Sequence, residues 1–492
     1  MKAAYPFPLN LALAARPTGT PAYRWLYETL RSRILQGDLR PGTRLPATRD
    51  LARQQGLARG TVVNAFELLR SEGYVTGNVG SGTYVSRVLP EEWLRVRPEP
   101  ASDSKARRRK TALSHYGRRA RLFPGFEERP IRAFRSNLPA LDLFPVALWT
   151  KLTVRSLRRI SRASLMGCQA AGYRPLRQAL AEYLITSRGV KCKWEQVVIL
   201  SGVQEAIDTV ARLLLNEADA VCVESPGYPG ASSVFEAIGA KVHAAPVDND
   251  GVRVDELGGR RVRLLYVTPG HQFPLGTTMS LSRRLQVLEW ARKSGAMIFE
   301  DDYDSEYRYS GRPIPAMQGL DRHGLVLYAG SFSKVLFPAL RVGYLVVPED
   351  LVERVEAIKS LTTRHAPMLE QLVLHEFVAE GHFARHLRRM REVYAGRLAL
   401  LVEEAQAQLL GLLEVSTVEA GLQTVGWLAR GIRGEKARVM AWKRGVDVTP
   451  VSQYASERKA REGLVMGFAA IDAAEIRRGV RELAVALESA RK

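Results

Sequence analysis

The sequence predicts two folded units joined by a basic segment: a small α+β unit near the N-terminus and a larger α/β unit with a smaller closing subdomain. Three observations predict this. The chain has 492 residues, more than one ordinary core accommodates. Within residues 20–86, helical periodicity punctuated by glycines gives way to two short β-rich runs, and the pattern then stops. From about residue 131, short β-rich runs alternate with longer helical segments, the pattern of a mostly parallel sheet covered by helices.

Composition narrows the function classes. A hydrophobic content of 46% suits a globular chain in water. No apolar run reaches the ~18 residues that a membrane span requires. The broken apolar run Leu9 to Ala15, followed by Arg16-Pro17, is not the pattern of a signal peptide. Cys168, Cys192 and Cys222 match no metal-ligand spacing and read as reduced core thiols of a cytoplasmic protein. The net charge is +21, and residues 1–130 hold 23 Lys/Arg against 11 Asp/Glu, a net +12. A basic first quarter fits a polyanionic partner.

The first unit spans residues 20–86. Trp25, Leu26, Leu30 and Ile34 recur near helical spacing until Gly37. Leu39 to Gly42 is a turn. A second helix runs from about Ala47 to Gln55 and breaks at Gly56. A third begins near Arg59, buries Val62, Val63, Phe66 and Leu69, and ends at Gly73. Tyr74–Thr76 and Thr83–Val85 read as two short strands around a glycine-rich loop. Helix, helix–turn–helix and hairpin together make a winged helix-turn-helix. Its recognition helix needs polar and basic groups in its first turn, and Arg59, Gly60, Thr61 and Asn64 stand there. Arg49, one helix earlier, is within reach of phosphates, and Gly80 marks the wing tip. Residues 87–130 read as a basic linker. Its Lys105–Lys110 run serves either as a phosphate contact or as a solvated tether.

This unit resembles the GntR family. The matching residues are Pro41-Gly-Thr-Arg-Leu-Pro46, Thr48-Arg-Asp-Leu-Ala52, Arg59-Gly-Thr61, Glu72-Gly-Tyr74 and Gly80-Ser-Gly-Thr83. The resemblance implies double-stranded operator DNA as partner, with Arg49, Arg59, Thr61 and Gly80 as contacts. Ala58 departs from it, standing where the family usually has Ser or Thr.

The second unit, residues 131–492, has strand candidates at Val197–Leu200, Ala220–Val223, Leu264–Val267, Ala296–Phe299, Leu325–Tyr328 and Val342–Val347. Several chemically distinct groups follow these strands. Lys334 lies in Ser331-Phe-Ser333-Lys334, where burial would lower an amine's pKa. Ser331, Ser333 and the fork of Arg341 can hold a phosphate. Asp301 stands where ligands bind in parallel sheets, and Tyr303 follows it; Asp302 and Asp304 read as little more than strand-end caps. Gly202, Val203 and Gln204 open a helix whose amides can cradle phosphate. Tyr228 sits on a Pro-Gly turn, placed to stack on a ring. A reactive amine, an anion, phosphate donors and an aromatic face are what pyridoxal 5′-phosphate requires.

Residues 135–490 resemble the fold-type I aminotransferases, most closely through Ser331-Phe-Ser-Lys-Val-Leu-Phe-Pro-Ala-Leu-Arg-Val-Gly-Tyr344. Glu300 to Tyr307 and Thr268 to Gly276 resemble the branch fused to GntR domains, the MocR subfamily. The resemblance implies a fold-type I domain, pyridoxal 5′-phosphate as a Schiff base on Lys334, and a head-to-tail homodimer. Three departures stand out. Phe273-Pro274 replaces the usual Asn-Pro, leaving His271 or Gln272 to supply any polar contact. No Arg stands just before Gly467-Phe468, and Gln423 replaces a usual His. Two readings follow: a regulator that senses pyridoxal phosphate or an amine or amino-acid effector, and an aminotransferase with an accessory DNA-binding domain.

Overall fold

The computed structural model describes residues 16–17, 19–77, 82–89, 111–122, 130–257, 261–310, 314–455 and 461–491. Chain contacts divide the protein into two compact units, Met1–Lys110 and Thr111–Lys492.

In the first unit, helices α1 (Ala22–Leu35), α2 (Thr48–Gln55) and α3 (Arg59–Ser71) precede the antiparallel pair β1 (Val75–Thr76) and β2 (Tyr84–Val85). Leu26, Leu30 and Ile34 lie four residues apart and so share one face of α1, where they are buried. They pack with Leu51, Val62, Phe66 and Leu69 into one small core. Truncating Leu30 to Ala would cost about 2–5 kcal/mol. The turn between α2 and α3 needs the left-handed conformation that Gly56 adopts, with φ 64°.

The second unit is built on an eight-stranded sheet. Its strands are β3 (Val197–Leu200), β4 (Ala220–Ser225), β5 (Lys241–Asp248), β6 (Gly251–Val252), β7 (Val262–Val267), β8 (Met297–Asp302), β9 (Val326–Ser331) and β10 (Gly343–Val346). The order is β3-β10-β9-β8-β7-β4-β5-β6. β5, β4, β7, β8 and β9 run parallel, while β10 pairs antiparallel with both β9 and β3. The central strands are buried on both faces, as helix-covered parallel sheets are. The closing subdomain carries the antiparallel sheet β11 (Leu413–Val415), β12 (Gln423–Leu428), β13 (Thr449–Pro450) and β14 (Gly463–Gly467), in the order β11-β12-β14-β13. A 27-residue helix, His382–Gln408, leads into it. The chain before the large sheet also reaches this subdomain, because Phe134 pairs with Gly467 and Ala133 with Val446.

Several strand ends differ from the sequence reading. β8 and β9 each run three residues further, to Asp302 and Ser331, because the ladder with the neighbouring strand continues through them. The strand β5 has no counterpart in the sequence reading. It is interrupted by Lys241, His243 and Pro246 and is partly exposed, so it offers no continuous apolar run. Of the three cysteines only Cys222 is fully buried. Within the stretch read as a linker, His115–Arg119 forms a short helix, and Arg119 pairs with Glu217 at 2.9 Å. Among the described residues no helix is long and apolar enough to cross a membrane.

Candidate functional site

In the first unit, Arg59, Gly60 and Asn64 are exposed on α3, and Thr61 is half-buried beside them. Arg49 is exposed in the first turn of α2. Gly80 lies outside the described residues. The departure at Ala58 has a visible consequence: Ala58 is the N-cap of α3 and no side chain caps it. Its methyl group leaves the first amides of α3 without a side-chain acceptor, at a cost of about 1 kcal/mol in helix stability. Arg44 was not singled out from the sequence. Its guanidinium lies 5.9 Å from the Tyr84 ring centre and against Gly82, at the base of the wing.

In the second unit, the groups read as a cofactor site converge on the C-terminal ends of β4, β7, β8 and β9. Lys334 lies on a single helical turn, Phe332–Val335, directly after β9, rather than in a loose turn. Its Nζ donates to the carbonyl of Asn137 at 2.8 Å. Burial pushes this amine down to about 8, while the carboxylates of Asp304 and Asp301 act to raise it. Asn137, with φ 65°, was missed in the sequence because nothing in its own segment points to Lys334.

Asp301 is 4% exposed at the end of β8. Tyr266 Oη donates to its Oδ2 at 2.5 Å, and its Oδ1 is buried without a partner. Burial, with help from Asp302 and Asp304, raises its carboxyl to about 7. Asp302, next in sequence, faces the other way. It pairs with buried Arg188 at 2.6 Å and accepts from Tyr328 Oη at 2.6 Å. Asp304 lies 3.0 Å from His271 Nδ1, to which Tyr303 Oη also lies at 3.0 Å. The sequence reading gave Asp302 and Asp304 almost no role. Their actual partners come from distant segments, so no local pattern announces them.

Gly202, with φ 118°, opens the helix Val203–Leu214. A Cβ at Gly202 would lie 3.5 Å from both Nη atoms of Arg341, so this guanidinium stands against the helix N-terminus. The first-turn amides of Val203 and Gln204 have no intrahelical acceptor. The Gln204 side chain is occupied, donating to Gly230 O at 3.0 Å and accepting from Tyr228 Oη at 3.1 Å. Ser333 Oγ is buried without a partner, whereas Ser331 Oγ already accepts from Ser333 N at 3.1 Å. The Tyr228 ring stacks on that of Tyr266, with centres 6.4 Å apart. Gln272 turns its amide to Pro226 O at 2.8 Å and to Glu224 Oε2 at 3.3 Å, whereas His271 Nε2 is buried without a partner.

These features fit pyridoxal 5′-phosphate. The unpartnered Asp301 oxygen suits a protonated ring nitrogen. The Gly202–Arg341 cleft and the unpartnered Ser333 hydroxyl suit a phosphate, for which a helix N-terminus is favourable.

Comparison with known proteins agrees with this geometry. Residues 22–85 match the family "Bacterial regulatory proteins, gntR family", and residues 153–483 match "Aminotransferase class I and II". The probable rhizopine catabolism regulatory protein MocR of Rhizobium meliloti is 39% identical, covering 96% of both chains. The HTH-type pyridoxine biosynthesis transcriptional regulator PdxR of Corynebacterium glutamicum is 29% identical, also over 96% of both. Among solved structures, the alpha-aminoadipate aminotransferase LysN of Thermus thermophilus, complexed with N-(5′-phosphopyridoxyl)-L-leucine, superposes with TM-score 0.68 at 29% identity, covering 73% of this chain and 92% of LysN. The chain therefore belongs to the aminotransferase class I and II family, within the GntR-type regulators of the MocR kind that carry such a domain.

Proposed function

We propose that this protein is a transcriptional regulator that binds operator DNA through its first unit and pyridoxal 5′-phosphate at Lys334 in its second. One observation carries the reading: at one end of one sheet, an amine held near 8 stands close to a buried carboxylate with an unpartnered oxygen. When bound, the cofactor supplies an aldehyde that condenses with amines. The protein's own residues do the rest. Lys334, eased toward its neutral form by burial, presents a nucleophilic nitrogen that Asn137 O orients. Asp301 would accept a hydrogen bond from the ring nitrogen and keep it protonated. Gly202, Val203 and Gln204 offer amides to the phosphate, joined by Ser333 and Arg341, while Ser331 fixes the turn. Tyr228 covers the ring face. Tyr303, steadied by His271, serves the ring hydroxyl.

On DNA, Arg59, Thr61 and Asn64 meet base edges. Arg49 and the wing around Gly80 meet phosphates, so affinity falls with salt. The protein acts in the cytoplasm as a head-to-tail homodimer with each cofactor site near the interface. An effector, either pyridoxal phosphate itself or an amine or amino acid, shifts the balance between forms of different DNA affinity.

The test is fluorescence anisotropy of the full chain on its own upstream DNA, with and without pyridoxal phosphate and candidate amines. Affinity is expected to change when the Lys334 site is filled. An affinity indifferent to both, together with rapid turnover of many amino acids, would overturn the regulator in favour of the enzyme.

A further inference from the structure

One buried polar side chain beside Lys334 takes no part in holding the cofactor. Gln423 opens β12 and is 1% exposed. Its Oε1 accepts from the Asn137 N–H at 3.2 Å, and Asn137 O accepts from Lys334 Nζ at 2.8 Å. One residue thus ties Gln423 to the amine, through its N–H on one side and its carbonyl on the other. A backbone N–H can only donate, so the amide is oriented with its oxygen toward Asn137. The Nε2 is then left buried with no acceptor. A buried donor of this kind is costly to leave unmet, and an arriving acceptor would satisfy it.

The surroundings say what kind of acceptor fits. Alternate residues of β12, Val425 and Trp427, share the face of Gln423. Val425, Val451 and Val465 form a small apolar cluster there with Leu275, Trp427 and Tyr454 packed on it. The Tyr454 ring meets Phe273 at 5.1 Å, and Phe273 meets Tyr303 at 6.0 Å, so this wall is continuous with the ring-binding residues. Neither β12 nor β14 carries a charged residue. The groups whose charge acts on Lys334 include the acids Asp304 and Asp301. A ligand carboxylate there would be stripped of water against apolar walls and would face like charges. An uncharged acceptor suffers neither penalty.

The geometry points to a ligand class: a primary amine that enters at Lys334 and presents an uncharged acceptor, such as a hydroxyl or an amide carbonyl, to Gln423 Nε2 in preference to a carboxylate. This rests on the reading of Lys334 as the cofactor lysine. The test titrates the full chain, loaded with pyridoxal phosphate, with alanine, alaninamide and alaninol. Visible absorbance and melting temperature report binding. Alaninamide and alaninol should bind about tenfold tighter than alanine, the equivalent of ~1.4 kcal/mol. Gln423→Met, similar in shape but without the donor, should lose that preference and keep the visible band of the loaded protein. Equal or tighter binding of alanine by the unaltered chain overturns the inference. So does a carboxylate preference that vanishes in Arg135→Ala, since Arg135 adjoins Phe134, the partner of Gly467. Absence of any visible band before ligand is added would overturn the Lys334 reading and this inference with it. A normal band with carboxylate preference overturns this one alone.

Discussion

Lys334 and Lys359 are both withdrawn from water in the large unit, and the fold treats them in opposite ways. Lys359 is 0% exposed on the helix Val352–Thr362, and its Nζ meets the Glu205 carboxylate at 2.8 Å and Thr363 Oγ1 at 3.1 Å. Burial acts to raise Glu205, but Lys359 and the Ser201 N–H, 2.6 Å from its Oε2, outweigh it and hold the carboxyl below its ordinary value. Among the described residues Lys334 meets only a neutral carbonyl as hydrogen-bond partner, so burial wins and its amine falls to about 8. The difference separates two uses of a buried amine. Lys359 is given a carboxylate in contact; Lys334, which in the proposed function reacts, is given orientation without a counter-charge in contact. Both bear on the same site, because Glu205 sits in the first turn of the helix that Gly202 opens. Lys359 neutralises an anion that would otherwise repel a phosphate there.

Four experiments probe this contrast. The largest effect is expected from Lys334→Ala, which should abolish the visible absorbance of the protein mixed with pyridoxal phosphate and leave the circular dichroism spectrum as it was. An unchanged visible spectrum would end the comparison. Next, Lys359→Met leaves the partly buried Glu205 with only the Ser201 N–H and the Thr363 hydroxyl as partners and should cost about 3 kcal/mol in denaturant unfolding. Adding Glu205→Gln should recover part of the loss; a neutral Lys359→Met would show that the ion pair is not structural.

The third concerns pH. Lys334 titrates near 8 in the folded chain and near 10.5 in the unfolded one. Below about 8 both forms carry the proton and the folded state bears the full penalty. Between about 8 and 10.5 the unfolded chain binds more protons, so the Lys334 contribution to stability improves as pH rises. Without cofactor, the unaltered chain should gain up to about 3 kcal/mol over Lys334→Ala across that window. A pH-independent difference would place Lys334 among the ordinary lysines. The smallest effect, Arg59→Ala, is a control in the other unit. It should weaken specific operator binding by about 1–3 kcal/mol while leaving the visible band intact.

The small unit was largely legible in the sequence. Leu26, Leu30 and Ile34 announce α1, Gly56 announces the turn, and the two short strands fall where their β-rich triplets stand, because each signal lies within one helix or hairpin. The large unit was legible in six strands of its large sheet but not in β5, β6, the closing sheet or the partners of its site. Asp301 and Asp302 are neighbours of one type; only the register of β8 sends one toward Tyr266 and the other toward Arg188. Gln423 drew notice in the sequence only as a departure from a resemblance. Its unmet Nε2 appears once Asn137 has claimed its oxygen.

Local pattern alone pointed to a small helical unit and a larger α/β unit, to most strands of the large sheet, and to which residue types follow them, since periodicity and glycine or serine punctuation are properties of short segments. Long-range packing chose the partners. Lys334 and Asn137 are 197 residues apart and Asn137 and Gln423 are 286 apart, so their hydrogen bonds exist only because the closing subdomain and the sheet ends bring those segments together. Those partners orient the amine and leave Gln423 Nε2 buried without an acceptor.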